Sequence, residues 1–119
     1  MIEISDPLPE SSIGYRTVHK MTSDGKYIGY VDVGYLQEED VKTFRRTKRR
    51  LRVGQPFGVQ LFIDIEKSGV TASSLGRKGL AEIVEALETR FNGLEERDIY
   101  ILELEGDRRK IIGRAPDIK

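Results

Sequence analysis

The chain has 119 residues, 34% of them charged, and its 20 basic and 20 acidic side chains cancel. One ordinary domain, residues 1–119, accounts for this length, and the balanced charge excludes global electrostatic steering of a ligand. The absence of cysteine excludes a disulfide framework, a thiolate nucleophile and a zinc-thiolate site. No basic leader or run of eighteen apolar residues occurs, so we expect neither a signal peptide nor a membrane span, and therefore a cytoplasmic protein.

The first predicted structure is a β-hairpin. Residues 13–21 and 26–36 form two β-rich runs, and Asp24-Gly25 stands between them. Asp-Gly is typical of a type I′ turn, because both central residues of that turn need a positive φ. Gly29 and Gly34 interrupt the second run, which indicates a bulge or a place where another backbone comes close.

The next stretch predicts a strongly basic helix from Glu38 to Val53. Acidic residues open it and basic residues follow, which is the charge order that the helix dipole favours. The basic run has two interpretations: an anion-binding face for nucleic acid, acidic protein or lipid headgroups, or a solvated face that balances acids elsewhere. The anion-binding candidates are Lys42, Arg45, Arg46, Arg49 and Arg50, and Lys48 and Arg52 complete the run.

The stretch from Pro56 to Glu66 predicts the central strand. Its alternate residues are apolar, and Phe62 adds apolar bulk on the other side, as expected of an interior strand covered on both faces. Asp64 is the one acid set inside the apolar part of this stretch, which Glu66 ends. A carboxylate at the end of an α/β strand is a candidate general base or ligand group, and it is also a common cap of the following turn.

The loop after the central strand is the most site-like stretch, because open α/β sheets bind ligands at the carboxyl ends of their strands. Three hydroxyl residues cluster there at a helix start: Thr71, Ser73 and Ser74. Each is a candidate N-cap, and one of them is alternatively a phosphoacceptor or part of an anion-binding helix terminus.

An amphipathic helix follows from Ser73 to Phe91, then strands at Asp98–Leu104 and Lys110–Gly113. Gly76 and Gly79 in this helix suggest close approach to the sheet or to a partner. The whole pattern predicts an α/β fold: a small mixed sheet with an N-terminal hairpin followed by two strand-helix-strand crossovers. The sheet has open edges, so we expect a homo-oligomer or a stable protein partner. The predicted core is Val18, Ile28, Val31, Val33, Phe44, Leu51, Val59, Leu61, Ile63, Ile65, Leu80, Ile83, Val84, Leu87, Ile99 and Ile101.

Several short motifs in this order resemble the STAS or SpoIIAA-like domains, regulatory α/β modules related to anti-sigma factor antagonists. The motifs are Gly34-Tyr35-Leu36, Glu38-Glu39-Asp40-Val41, Gly54-Gln55-Pro56-Phe57, Leu61-Phe62-Ile63-Asp64-Ile65, Gly69-Val70-Thr71 and Ser73-Ser74-Leu75. The resemblance implies a non-catalytic regulatory or protein-interaction module. Ala72 and Leu75 stand where the family's phosphoserine motif has aspartate and glycine.

A rival resemblance is to the tautomerase fold, carried by residues 65–69 and 97–101. That family uses an amino-terminal proline exposed by removal of the initiator methionine, and Ile2 stands in this place. The rival therefore implies a tautomerase-like enzyme or an inactive relative. The single histidine, His19, lies in a β pattern, and no phosphate loop, metal-ligand cluster or nucleophile elbow occurs. We accordingly expect no enzyme and no cofactor, and nucleic acid as the second choice of partner.

Overall fold

The structure is a computed structural model that describes residues 2–4, 15–23, 25–36, 52 and 54–115. Two helices are described, α1 (Ile65–Ser68) and α2 (Ala72–Arg90), with a 3₁₀ turn at Glu96–Asp98. The strands are β1 (Ile2–Ile4), β2 (Tyr15–Ser23), β3 (Lys26–Tyr35), β4 (Pro56–Asp64), β5 (Ile99–Glu105) and β6 (Arg108–Arg114). The helix predicted from Glu38 to Val53 lies outside the described residues, Arg52 excepted.

In the described part of the chain, the six strands form one sheet in sequence order. All neighbours pair antiparallel except β4 and β5, which are parallel. The α/β class, the mixed sheet and the N-terminal hairpin are therefore confirmed. Ser23 pairs with Lys26 across a two-residue connection, and Gly25 has the positive φ of 80° that such a turn requires.

The second predicted strand-helix-strand unit is confirmed, because α1 and α2 connect the parallel strands β4 and β5. Thr71 and Ser74 start α2 with reciprocal hydrogen bonds that satisfy exposed backbone N–H groups. The first predicted strand-helix-strand unit joins β3 to β4. These strands pair antiparallel, so the connection between them is not a parallel crossover.

The core lies between α2 and one face of the sheet. The apolar stripe of α2 is buried against strands β3, β4 and β5, and the Cα atoms of β1 also come within 8 Å of those of α2. The sheet therefore curves around the helix, so that an edge strand reaches it. Neither described helix has the length and apolar character needed to cross a bilayer.

Most of the predicted core is confirmed, and it gains Met21, Ala72, Phe91 and Leu94. Ile65 was expected in the core as a strand residue, but β4 ends at Asp64, and Ile65 begins α1 half-buried. The predicted core positions Val18, Phe44 and Leu51 lie outside the described side chains.

The close approach to the sheet expected at Gly76 is not found. Among the described residues, a Cβ added there would meet nothing within 4 Å, and the alternative of close approach to a partner stays a prediction. The backbone of Gly76 instead has φ 70° and ψ 177°, which breaks α2 into two helical pieces. Glycine reaches this conformation without a Cβ clash, so the residue marks a kink.

Gly29 confirms the prediction of a bulge or a close backbone. It lies beside an irregularity in the β2–β3 register, where Met21 and Thr22 face Gly29 and Tyr27. A Cβ on Gly29 would lie 1.8 Å from the backbone oxygen of Phe62 in β4. Only glycine therefore lets β3 approach β4 this closely.

Gly29→Ala should lower the free energy of unfolding by at least about 1 to 3 kcal/mol, because the added methyl group collides with backbone and not with a flexible side chain. Urea unfolding followed by circular dichroism measures this loss. Lys26→Ala on the exposed end of the same strand is the control, with an expected change within about 0.5 kcal/mol. Equal stability of the two variants would contradict the close approach.

Candidate functional site

Asp64, the acid expected at the end of the central strand, caps α1. Only 6% of the residue is exposed, and one carboxylate oxygen accepts the Lys67 N–H at 3.1 Å. Burial, reinforced by the negative charge and hydrogen bond of Asp64, raises the pKa of Tyr27. The carboxylate is thus engaged in fixing the turn after β4.

The hydroxyl cluster lies on the first turn of α2. The Thr71 hydroxyl accepts the Ser74 N–H at 3.0 Å, and the Ser74 hydroxyl oxygen accepts the Thr71 N–H at 2.8 Å. Ser73 lies between them and is exposed. The capping role of Thr71 and Ser74 is observed, and a binding role for Asp64, Thr71, Ser73 or Ser74 stays a prediction.

The anion-binding candidates of the basic helix, Lys42, Arg45, Arg46, Arg49 and Arg50, lie outside the described residues. Arg52 is described and exposed, and its backbone N–H donates to the side-chain oxygen of Gln55 at 3.2 Å. The anion-binding interpretation of this run stays a prediction.

The face of the sheet opposite α2, which we call the outer face, carries a row of large side chains. The strand register aligns Tyr30, Phe62, Leu102 and Ile111 across β3, β4, β5 and β6. The rings of Tyr30 and Phe62 stack with centroids 4.8 Å apart, and the Arg109 guanidinium lies 5.3 Å from the Phe62 ring. These contacts help to bury Phe62, which is only 1% exposed although it is not part of the core between α2 and the sheet.

The edge strand β6 is basic with an apolar centre. Ile111 is 70% exposed, the one large hydrophobic side chain so exposed among residues that the structure describes. We call β6 with this residue and its charged neighbours the basic edge. Its exposed cations are Arg108, Arg109, Lys110 and Arg114.

Two of these cations are held against aromatic rings of the sheet. Arg114 donates to the Tyr100 hydroxyl from Nε at 3.0 Å and from Nη2 at 2.8 Å, and Arg109 covers Phe62. Arg108 and Lys110 lie opposite Glu105 and Glu103 in the strand register, and within the described ranges neither makes an ion pair. Arg108 and Lys110 are therefore the cations best able to reach a partner.

A second surface lies between α2 and the sheet, beside the amino end of β5. It is a groove of about 390 Å³ with an apolar floor and an acidic rim, and we call it the acidic groove. Its floor is formed by Leu80, Val84, Ile101 and Ala115. Its rim carries Glu85, Glu88 and Glu96, and Arg77 stands at the other end of the helix face.

The three glutamates of the acidic groove repel one another. Partial burial raises the pKa of Glu88, and the charges of Glu96 and Glu85 raise it further. As far as the described residues go, none of the three carboxylates has an ion-pair partner. A cation placed in this groove would relieve the repulsion.

Comparison with family models, curated proteins and solved structures yields no match for this chain. The resemblances to STAS domains and to the tautomerase fold therefore stay predictions.

Neither the basic edge nor the acidic groove was identified as a site from the sequence. The run from Arg108 to Lys110 was visible, but only the pairing of β6 with β5 shows that it forms an edge. The groove joins glutamates of α2 to Glu96, which belongs to a separate turn. No local sequence pattern predicts that Glu96 lies beside the glutamates of α2.

Asp64→Ala should lower the free energy of unfolding by about 1 to 2 kcal/mol, because it removes the side chain that caps α1. Asp64→Asn keeps a capping side chain and should cost less. Both variants should bring the pKa of Tyr27 down toward its ordinary value. Urea unfolding and a tyrosine absorbance titration measure the two effects, and an Asp64→Ala chain as stable as the native one would contradict the capping role.

Glu88→Gln should raise the midpoint of thermal unfolding near neutral pH. A raised folded-state pKa means that protonated Glu88 favours folding, and this stability is lost as the pH rises through the folded pKa. The gain from glutamine should therefore disappear below about pH 4, where the native side chain is protonated in both states.

Glu82→Gln, on the exposed side of the same helix, is the matched control for this measurement. Thermal scans of the native, Glu88→Gln and Glu82→Gln chains, near neutral pH and below about pH 4, measure these gains. An identical gain in the two variants, or a gain that persists in acid, would contradict the repulsion among the three glutamates.

Proposed function

We propose that this chain is a non-catalytic protein-interaction module of the cytoplasm whose docking surface is the basic edge. The observation that carries the proposal is Ile111, a large apolar side chain 70% exposed on an edge strand. An edge strand also presents backbone N–H and C=O groups that another polypeptide can pair with.

The charges of β6 alone have a simpler explanation. Lysine and arginine on an edge strand discourage uncontrolled pairing between sheets, so a basic edge by itself indicates protection. Protection does not account for an isoleucine at the centre of that edge, because exposed apolar area favours association. The combination fits selective docking, in which apolar contact supplies affinity and charge excludes the wrong partners.

The chemistry of the basic edge defines the partner. A complementary surface has an apolar centre for Ile111 and carboxylates within reach of Arg108 and Lys110. The partner is accordingly a polypeptide surface that is acidic around an apolar centre.

A regulatory role of the STAS type is part of this proposal. Ser73 supports it, because its exposed hydroxyl lies on the first turn of α2, where an added phosphate would meet the positive end of the helix dipole. The resemblance of the surrounding motifs to the STAS pattern supplies the other support.

A defined probe tests the docking surface. A fluorescein-labelled peptide of alternating glutamate and valine, checked to be monomeric, is titrated with the native chain and followed by fluorescence anisotropy. We expect saturable binding that weakens as salt is raised from about 0.05 to 0.3 M, because the contacts are between exposed charges. The Ile111→Ser chain should bind at least about tenfold more weakly.

The matched control is a peptide of the same length with lysine in place of glutamate, which should not bind. Thr89→Ala, a change at an exposed position of α2 outside the basic edge, should leave the affinity for the acidic peptide unchanged. Equal binding of the acidic and basic peptides, or an Ile111→Ser chain that binds as tightly as the native one, would overturn the docking surface.

A further inference from the structure

We infer that the partner of the basic edge is a second copy of this chain, and that the surface it meets is the acidic groove. The inference rests on the proposed function, because it names the partner of that same edge. Its basis is that one molecule carries two exposed surfaces of opposite charge, each with apolar residues at its centre.

The two surfaces match in chemistry. The acidic groove presents Ala81 and Ala115 above a floor of Leu80, Val84 and Ile101, which the chain itself already buries, and Ile111 is an exposed apolar side chain that could pack against this surface. The rim offers Glu85, Glu88 and Glu96, three carboxylates whose mutual repulsion a cation relieves. Ile111 lies on the outer face of β6, and Arg108 and Lys110 lie on its other face, opposite Glu105 and Glu103. Their long flexible stems carry the charges past the edge of the strand.

The two surfaces also match in size. The helix face from Arg77 to Glu88 is about 16 Å long at 1.5 Å per residue. The strand from Arg108 to Ile112 is about 13 Å long at 3.3 Å per residue. A short stretch of β6 therefore covers most of the groove.

The position of the surfaces favours a closed dimer. Ala115 follows β6 directly and also lines the groove, so the edge and the groove share one corner of the molecule. A two-fold axis through that corner places the edge of each copy against the groove of the other, and both contacts form at once. The assembly closes at two copies and leaves no unpaired surface from which a fibre would grow.

Direct pairing of β6 with β6 is the competing arrangement. An antiparallel pair centred on Ile111 would set Arg108 opposite Arg114 at both ends. Like charges directly opposite on neighbouring strands are destabilising, whereas the groove supplies carboxylates. The charge pattern thus favours the groove over a continuous sheet.

Charge reversal on the two surfaces tests the inference by sedimentation velocity at tens of micromolar. The native chain should sediment as a dimer. One variant reverses the groove, Glu85→Lys with Glu88→Lys, and the other reverses the edge, Arg108→Glu with Lys110→Glu. Each variant alone should be monomeric, with self-association weakened at least about tenfold, because both of its contacts would be repulsive.

An equimolar mixture of the two variants should form a heterodimer. In that mixture a native edge meets a native groove, and a reversed edge meets a reversed groove, so both contacts are attractive. Circular dichroism spectra that match the native chain, with cooperative urea unfolding, show that each variant is folded. The Glu82→Lys with Lys78→Glu chain reverses charges on exposed positions of α2 outside the groove and should remain a dimer.

A monomeric native chain, or variants that remain monomeric when mixed, would overturn the inference. Loss of the dimer in the edge variant alone would also overturn it, because β6 would then be pairing elsewhere. The proposed function fails separately: binding of the acidic peptide through Ile111 without self-association preserves the docking surface and removes only the second copy as its partner.

Discussion

The burial of β4 on both faces is the constraint on which the rest of the structure depends. Leu61 and Ile63 point toward α2 and are fully buried. Phe62 points to the outer face, where Tyr30 and Arg109 cover its ring. A strand covered on both sides must be interior, so it needs a hydrogen-bonding neighbour at each edge. Strand β3 fills one edge in antiparallel order. The other is filled by β5, whose parallel direction requires the crossover that α2 supplies.

Once α2 lies across β4, the rest of the sheet has to bend around it. Within the described residues, α2 spans only part of the six-stranded sheet, and the curvature that brings β1 near α2 lets this helix approach several strands. The close approach of β3 and β4 at Gly29 lies within this curved region. At the opposite edge, Ile111 lies on the outer face, which α2 does not cover, and the acidic groove lies on the α2 side beside Ala115.

The elements that could be predicted are those whose signal is local. Alternation identified β4, the Asp24-Gly25 pair identified the hairpin, and helical spacing identified the buried stripe from Leu80 to Leu87. Strand β1 was missed because three residues carry no periodicity. The end of β4 was placed two residues late, because Ile65 continues the apolar alternation while Asp64 already caps the next turn. The basic edge and the acidic groove depend on strand order and on contacts between distant segments, so their residues looked like ordinary surface charges in the sequence.

The kink at Gly76 divides α2 into parts that need not open together. A continuous helix resists local opening because each turn shares hydrogen bonds with the next, and the extended ψ of 177° at Gly76 interrupts that sharing. The turn from Ala72 to Leu75 is held by its Thr71 cap and by the Glu103 carboxylate that accepts the Ala72 N–H, whereas the longer piece is held by its buried stripe. The amide hydrogens on either side of the glycine therefore belong to different cooperative units, and those before it exchange with solvent through a smaller opening than the global unfolding of the domain.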